Sequence, residues 1–192
     1  EIITKLRSIG GRHTEEDFAA AVGEYVDPIN TEFRDHLVWQ CPPNGQGVIA
    51  LMLLNMMRGI DRFGDHPLTA ERMHHEIEAG RLAYRDRGLV LADPAQAEVP
   101  VAAMLDGSYA DQLRAGIRPD RRLDPLPMSG LPRHSSTVYI TVVDRDRNAC
   151  SFINSLYDNF GSGIMAPKSG VLLHNRGQGF VVDPAHLNGV AP

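Results

Sequence analysis

Residues 138–143 carry the clearest strand pattern in the chain. β-Branched residues stand at every second position, and a tyrosine, a threonine and a valine lie between them. Side chains of a strand alternate between two faces, so this pattern predicts a β-strand. The polar residues 144–148 interrupt it, and extended character resumes over residues 149–156. The three stretches together predict a β-hairpin.

Four stretches carry helix signals. Thr14 is a good N-cap followed by acidic residues, so the first helix begins there. Residues 48–57 are apolar nearly all round, which is typical of a buried helix. A third helix is predicted over residues 69–85, and a last short one over residues 109–115. The apolar positions of the third helix are predicted to share one face: Met73, Ile77 and Tyr84.

The remaining stretches are less regular. Residues 25–35 are predicted to be irregular and to lead into a strand at 36–39, and residues 170–175 predict another strand. The Gly-rich residues 176–180 predict a flexible loop. Residues 125–132 are rich in proline and favour neither helix nor strand. This irregular segment leads directly into the predicted hairpin.

Ser136 and Thr137 stand where the proline-rich stretch meets the first strand of the hairpin. A threonine hydroxyl is a weak nucleophile unless a base lies beside it. Cleavage of the Ser136–Thr137 bond would give Thr137 a free α-amine with a pKa of about 7.7–8.0, which is a suitable base. The pattern alone leaves two interpretations open, because most threonines at the start of a strand only pack or cap.

Several stretches resemble the gamma-glutamyltranspeptidase family of N-terminal-nucleophile hydrolases. They read T-V-Y-I-T-V-V-D-R-D-R-N-A, N-S-L-Y-D-N-F-G-S-G and S-G-V-L-L-H-N-R-G-Q-G-F. Two upstream stretches, C-P-P-N-G-Q-G-V-I-A-L-M-L-L-N and H-H-E-I-E-A-G-R-L-A-Y-R-D-R, resemble the end of the same family's large subunit. The resemblance covers nearly the whole chain in the right order.

The resemblance implies a fold, a division and two catalytic residues. The fold is α/β (α+β), part of a four-layer αββα sandwich. Residues 1–136 correspond to the end of the large subunit and residues 137–192 to the start of the small one, so other parts of both subunits are expected elsewhere. Thr137 is the nucleophile, freed by cleavage after Ser136. Ser155 stands where the family has a hydroxyl residue that orients it.

Substrate-binding residues are expected at Tyr157, Asn175 and Arg176. Arg176 is either a bidentate partner for a substrate carboxylate or a solvated loop charge. The sequence departs from the family at Gly179, where typical members have an acidic residue for the substrate's α-amino group. His174 is interpreted as a hydrogen-bonded core group rather than a general base.

The resemblance, together with the departures at Gly179 and Arg176, predicts a self-processing amidohydrolase. It would cleave a small acidic amide, such as oxamate, through an acyl-enzyme on Thr137. Two alternatives stay open. One is a true gamma-glutamyltransferase or glutathione hydrolase, and the other is an unprocessed, non-catalytic member of the family. The expected partners are the amide substrate and the other parts of both subunits, and an oligomer of processed heterodimers is left open.

Composition narrows the function classes further. The chain is 43% hydrophobic and 22% charged, as expected for a globular chain with a core. Its net charge of -5 does not indicate a basic surface for binding nucleic acid or an anionic membrane. No signal peptide opens the sequence and no apolar run reaches membrane-spanning length. The compartment is left open, with a bacterial cytoplasm slightly favoured over the periplasm.

Metal and thiol chemistry are not expected. His74 and Glu78 lie one helical turn apart, but the string is not H-E-x-x-H and no third ligand follows. An i,i+4 contact on a solvated charged face is favoured instead, with neither metal nor cofactor. Cys41 and Cys150 lack a catalytic context, and Cys150 is expected to be a buried free thiol.

Overall fold

The computed structural model describes residues 1–58, 60, 66, 68–126 and 138–190. In chain order the elements are α1 (Ile2–Ser8), α2 (Glu15–Ala20), β1 (Ile29–Phe33), β2 (His36–Gln40), α3 (Gly47–Met57), α4 (Ala70–Val90), α5 (Val101–Met104), α6 (Gly107–Gly116), β3 (Val138–Val143), β4 (Ala149–Asn154) and a 3-10 helix (Arg176–Gly179). Helices and antiparallel hairpins occur together, which confirms the mixed α/β class. None of the helices in the described ranges is long and apolar enough to cross a bilayer.

The chain forms two compact units. The helical unit comprises Tyr25–Leu131 and Val182–Pro192, and the hairpin unit comprises Glu1–Glu24 and Pro132–Val181. The predicted boundary between residues 136 and 137 lies outside the described residues and stays a prediction.

Helix α3 lies at the centre of the helical unit because it is apolar on all sides. It contacts β1, β2 and the three helices that follow it. Val48, Leu51, Met52 and Met56 are fully buried, and each such side chain contributes about 1.5–3 kcal/mol to folding. Gly47 permits a close start, since a Cβ there would lie 2.7 Å from the carbonyl oxygen of Cys41. The predicted buried helix is confirmed.

Helix α4 begins beside Thr69, close to its predicted start, and buries a face other than the one that carries its large apolar residues. Thr69 caps the helix by accepting the N–H of Arg72 at 3.2 Å. Met73, Ile77 and Tyr84 share one face of the helix as predicted, but all three are exposed. The buried face combines small apolar side chains with polar ones: His75, Glu78, Ala79, Leu82, Ala83 and Asp86. Small residues allow α4 to approach α3 closely, which periodicity of large apolar residues does not reveal.

A buried ion pair on α4 binds the main chain of Leu123. Arg81 donates to the Glu78 carboxylate at 2.7 Å and to the Leu123 carbonyl oxygen at 2.8 Å. Glu78 in turn accepts the N–H of Leu123 at 2.8 Å. Glu78 is only 2% exposed, so the expectation of a solvated charged face is wrong. The carboxylate tolerates burial because a cation and an N–H group replace its lost water.

His74 extends this row of polar side chains by one turn. Its Nε2 lies 2.7 Å from the carbonyl oxygen of Arg118. His74, Glu78 and Arg81 are spaced i, i+4 and i+7, so they project from one side of the helix. Together they attach the segment 117–123, which follows α6, to the surface of α4.

The hairpin unit contains the hairpin that the alternating pattern predicts. Val138 pairs with Asn154 and Val143 pairs with Ala149 in an antiparallel register. Asp144 closes the turn by accepting N–H groups from Asp146 and Asn148, each at 2.9 Å. Every residue of β3 and β4 is exposed, and in the described part of the chain these strands pair only with each other.

The first predicted helix is confirmed as α2, together with its cap. Thr14 accepts the N–H of Asp17 at 3.4 Å, and Asp17 accepts the N–H of Thr14 at 2.7 Å. This reciprocal pair is a capping box. The helix buries none of its residues.

Three local predictions are wrong. Residues 170–175 form no strand, since only an isolated bridge joins Met165 to Leu172. Residues 25–35 are not irregular throughout, because Ile29–Phe33 pairs with the strand that follows it. The thiol of Cys150 is free but exposed, because β4 is covered on neither face within the described residues.

Candidate active site

The predicted nucleophile and cleavage site, Thr137 and Ser136, lie outside the described residues. The description resumes at Val138, whose partner in the hairpin is Asn154. Ser155 follows that partner directly. Thr137 and Ser155 are therefore the sequence neighbours of the last residue pair at this end of the hairpin.

The turn after β4 holds Ser155 against the backbone. Its Oγ accepts the N–H of Tyr157 at 3.1 Å. Tyr157 has a φ of 80°, in the left-handed region that non-glycine residues rarely occupy. Such a conformation persists only where surrounding contacts hold it.

Asp158 and Asn175 hold this turn through a closed ring of hydrogen bonds. The N–H of Asp158 donates to Asn175 Oδ1 at 3.0 Å, and Asn175 Nδ2 donates to Asp158 Oδ2 at 2.7 Å. The N–H of Asn175 also donates to the Leu156 carbonyl oxygen at 3.1 Å. Sequence reasoning missed Asp158, although an acidic residue in the Gly-rich turn after a hairpin was an available signal.

Arg176 lies over the ring of Tyr157. Its guanidinium carbon is 5.5 Å from the ring centroid, within the range of a cation–π contact. The predicted flexible loop is wrong, because Arg176–Gly179 forms a turn of 3-10 helix. Four predicted site residues are thus brought together, namely Ser155, Tyr157, Asn175 and Arg176, and their catalytic and binding roles stay predictions.

Gly179 leaves space where the family typically has an acid. A Cβ built on this residue would meet no heavy atom within 4 Å. The missing carboxylate therefore reflects the residue type and not a lack of room. His174 lies nearby in sequence and accepts the N–H of Arg176 through Nδ1 at 3.1 Å. It is exposed, so the core interpretation of this histidine is wrong.

Gly161 allows the turn after β4 to approach the main chain of Leu173 closely. Its φ is +53°, and a Cβ there would overlap the carbonyl oxygen of Leu173. That same carbonyl oxygen accepts the N–H of Ser162 at 2.9 Å. The turn after β4 is thereby fixed against the chain that leads to Asn175.

The other chemical candidates have structural roles. The described ranges contain no group of three His, Cys, Asp or Glu residues that could hold a metal. Burial alone would raise the pKa of Glu78, but the hydrogen bonds from Leu123 and Arg81 outweigh it and hold the pKa below its ordinary value. Burial and a hydrogen bond to Asp86 raise the pKa of Tyr109, because both disfavour the phenolate.

Comparison with known proteins identifies the family. The sequence model of gamma-glutamyltranspeptidase matches residues 1–192. A glutathione hydrolase-like YwrD proenzyme of Bacillus subtilis strain 168 is 38% identical over 191 residues, which are 100% of this chain and 36% of the relative. An oxamate amidohydrolase proenzyme of Klebsiella pneumoniae is 29% identical over 97% of this chain and 34% of its own length.

The fold of a solved structure is also similar to that of this chain. The cephalosporin acylase of Bacillus halodurans superimposes with a TM-score of 0.77 at 34% identity, over 97% of this chain and 33% of the acylase. Its similarity supports the expected sandwich fold. The chain spans about a third of the length of each of these relatives. It belongs to the gamma-glutamyltranspeptidase family.

Proposed function

We propose that the full-length protein cleaves itself before Thr137 and then hydrolyses an amide bond. The observation that carries this proposal is the register of the hairpin, in which Val138 pairs with Asn154. Thr137 precedes one member of this pair and Ser155 follows the other. A hydroxyl residue therefore stands in sequence beside each member of the pair, as the resemblance to the family leads us to expect. The names of the relatives as proenzymes support the self-processing step.

Both steps use the same hydroxyl. In the precursor, Thr137 Oγ attacks the carbonyl carbon of Ser136 and the amide becomes an ester, which frees the α-amine of Thr137. Water then hydrolyses this ester, which restores the Thr137 hydroxyl and leaves Ser136 with a free carboxylate. In the mature enzyme this amine accepts the Oγ proton and passes it to the leaving amine. The acyl group stays on Oγ until water releases the acid and restores the hydroxyl.

Full-length protein with Thr137→Ala tests the nucleophile. We expect a single uncut and inactive chain, whereas the wild type gives two pieces under denaturing electrophoresis and its small piece begins T-V-Y-I. Thr141→Ala is the matched control, since this threonine lies on the same strand, and this variant should process normally. A small piece with another first residue, or cleavage of the Thr137→Ala protein, contradicts the proposal. An uncut but folded wild type would instead indicate the non-catalytic alternative.

We further propose that the substrate is a small anionic amide without an amino group, such as oxamate. A gamma-glutamyl donor brings an α-ammonium and an α-carboxylate, and each needs a partner once water is excluded. Gly179 offers no carboxylate to the ammonium. Arg176 repels an ammonium and attracts a carboxylate, and it lies exposed over the face of Tyr157. The oxamate amidohydrolase among the relatives supports this choice.

The ratio of kcat/KM for oxamate and gamma-glutamyl-p-nitroanilide tests the substrate class. We expect the processed enzyme to favour oxamate and Arg176→Ala to lower that preference about tenfold or more, as for a lost hydrogen bond to a charged group. Arg145→Ala is the control, because this arginine is 92% exposed in the hairpin turn. Equal or better efficiency on the gamma-glutamyl substrate contradicts the proposal and favours a glutathione hydrolase, the activity that the name of the Bacillus subtilis relative suggests.

A further inference from the structure

Asp158 and Asn175 use their side chains on each other. Asn175 Oδ1 accepts the N–H of Asp158, and Asn175 Nδ2 donates to the Asp158 carboxylate. Both residues are half-buried, so water competes only partly for these bonds. A hydrogen bond to a charged carboxylate is roughly twice as strong as a neutral one. The pair is thus a firm link between two parts of the chain.

The Asp158–Asn175 pair joins the sequence neighbours of the two residues that form the cation–π contact. Asp158 directly follows Tyr157, and Asn175 directly precedes Arg176. A cation–π contact at an exposed site is weak, and the arginine side chain is long and flexible. The contact alone would not fix Arg176 relative to Tyr157. The Asp158–Asn175 pair removes this freedom because it fixes the adjacent backbone of both residues.

The backbone of Tyr157 gives a second reason for the link. Its φ of 80° is unfavourable for a residue with a Cβ, so the turn needs contacts on both sides to keep this conformation. The N–H of Tyr157 donates to Ser155 Oγ, and the N–H of the next residue, Asp158, donates to Asn175 Oδ1. Tyr157 is therefore held from both sides, and the Asp158–Asn175 pair supplies one of the two sides.

We propose that Asp158 and Asn175 are positioning residues that set the geometry of Arg176 and Tyr157 for substrate binding. They act through these two neighbours and do not contact the reacting atoms. This inference rests on the proposed amidohydrolase function. It predicts that loss of the pair raises KM for the amide and leaves self-processing and kcat nearly unchanged.

Exchange of the two side chains tests the pair. In Asn175→Asp two carboxylates face each other and the amide donor is lost, so KM should rise about tenfold or more. The double variant Asp158→Asn/Asn175→Asp again offers one amide and one carboxylate, and we expect KM to return to within about threefold of the wild type, since coupled sites are not additive. Asp158→Asn alone keeps an acceptor for the Asn175 amide and should have the smallest effect.

The hairpin turn provides a matched control. Asn148 Nδ2 donates to the Asp144 carboxylate at 2.9 Å, so Asn148→Asp breaks a similar pair that touches neither Tyr157 nor Arg176. KM of this variant should equal that of the wild type. KM is measured for oxamate and for gamma-glutamyl-p-nitroanilide, and the effect is expected on whichever amide the wild type hydrolyses.

Each outcome decides a separate question. An uncut wild type contradicts the proposed function, and in that case the Kd of oxamate, titrated calorimetrically against each folded variant, tests the pair. Unchanged KM or Kd in Asn175→Asp overturns the inference. If Asn175→Asp fails to fold or process, recovery of processing and KM in the double variant supports the pair, and failure to recover overturns it.

Discussion

Glu78 shows most clearly how a charged residue is stabilised inside this chain. Its carboxylate is buried and accepts hydrogen bonds from Arg81 and from the main chain of Leu123. Removal of the charge would leave the guanidinium without its partner in a partly buried position. A buried pair that loses one member is more costly than one replaced as a whole. Glu78 is therefore expected to be sensitive to substitution and to pH.

Glu78→Gln should lower the free energy of unfolding of the full-length protein by about 1–3 kcal/mol at neutral pH. Hydrogen bonds hold the pKa of Glu78 below its ordinary value of 4.5. The carboxylate therefore stabilises the fold fully above that value and loses this effect as the pH falls through its folded pKa. Urea unfolding at a series of pH values should show the two proteins converging under acidic conditions.

Glu76→Gln is the matched control on the same helix. Its side chain is 42% exposed in the ion pair with Arg72, compared with the buried Glu78, and ion pairs that are open to solvent contribute little. Stability should be unchanged in this variant. A Glu78→Gln protein as stable as the Glu76→Gln protein, or a difference from the wild type that grows toward low pH, would contradict the account.

The N-caps of α2 and α4 belong to two helices that contribute differently to the buried core. Thr14 and Thr69 each accept an N–H from the third residue of the helix that follows. Helix α4 carries six buried residues, whereas α2 carries none. Local opening of a helix that buries nothing leaves the core intact.

Thr69→Ala should therefore destabilise the fold by about 1 kcal/mol, the usual value of a cap, and Thr14→Ala should not change global unfolding. Hydrogen exchange provides the second readout, because Thr14→Ala should speed exchange of amides within α2 alone. Equal effects of both substitutions on the urea midpoint would show that α2 contributes to the core.

Elements with strong local signals could be predicted, and those that depend on distant partners could not. Thr14, Thr69 and the alternation of β3 specify their elements through residues close in sequence. Residues 170–175 have the same apolar character, but only Leu172 finds a strand-like partner. Strand β1 was missed because its central residues are polar, and the partner of the buried Thr31 hydroxyl is Asn55 on α3, far away in sequence.

For the molecule as a whole, the family was predictable and the surroundings of the site were not. Residue motifs placed Ser155, Tyr157, Asn175 and Arg176, and the structure gathers these four. The role of Asp158 depends on Asn175, seventeen residues away, which no local pattern reveals. Burial was misjudged at Cys150, because every residue of β3 and β4 is exposed.

The attachment of the 117–123 segment to α4 has a consequence for evolution and engineering. His74, Glu78 and Arg81 form hydrogen bonds with main-chain atoms of Arg118 and Leu123, while the side chains from Arg118 to Arg122 are exposed. Every amino acid except proline offers the same backbone groups. Residues 118–122 are therefore free to drift, to carry an epitope or to accept charge changes, while α4 is constrained, as are Ile117 and Leu123, which pack in or against the core.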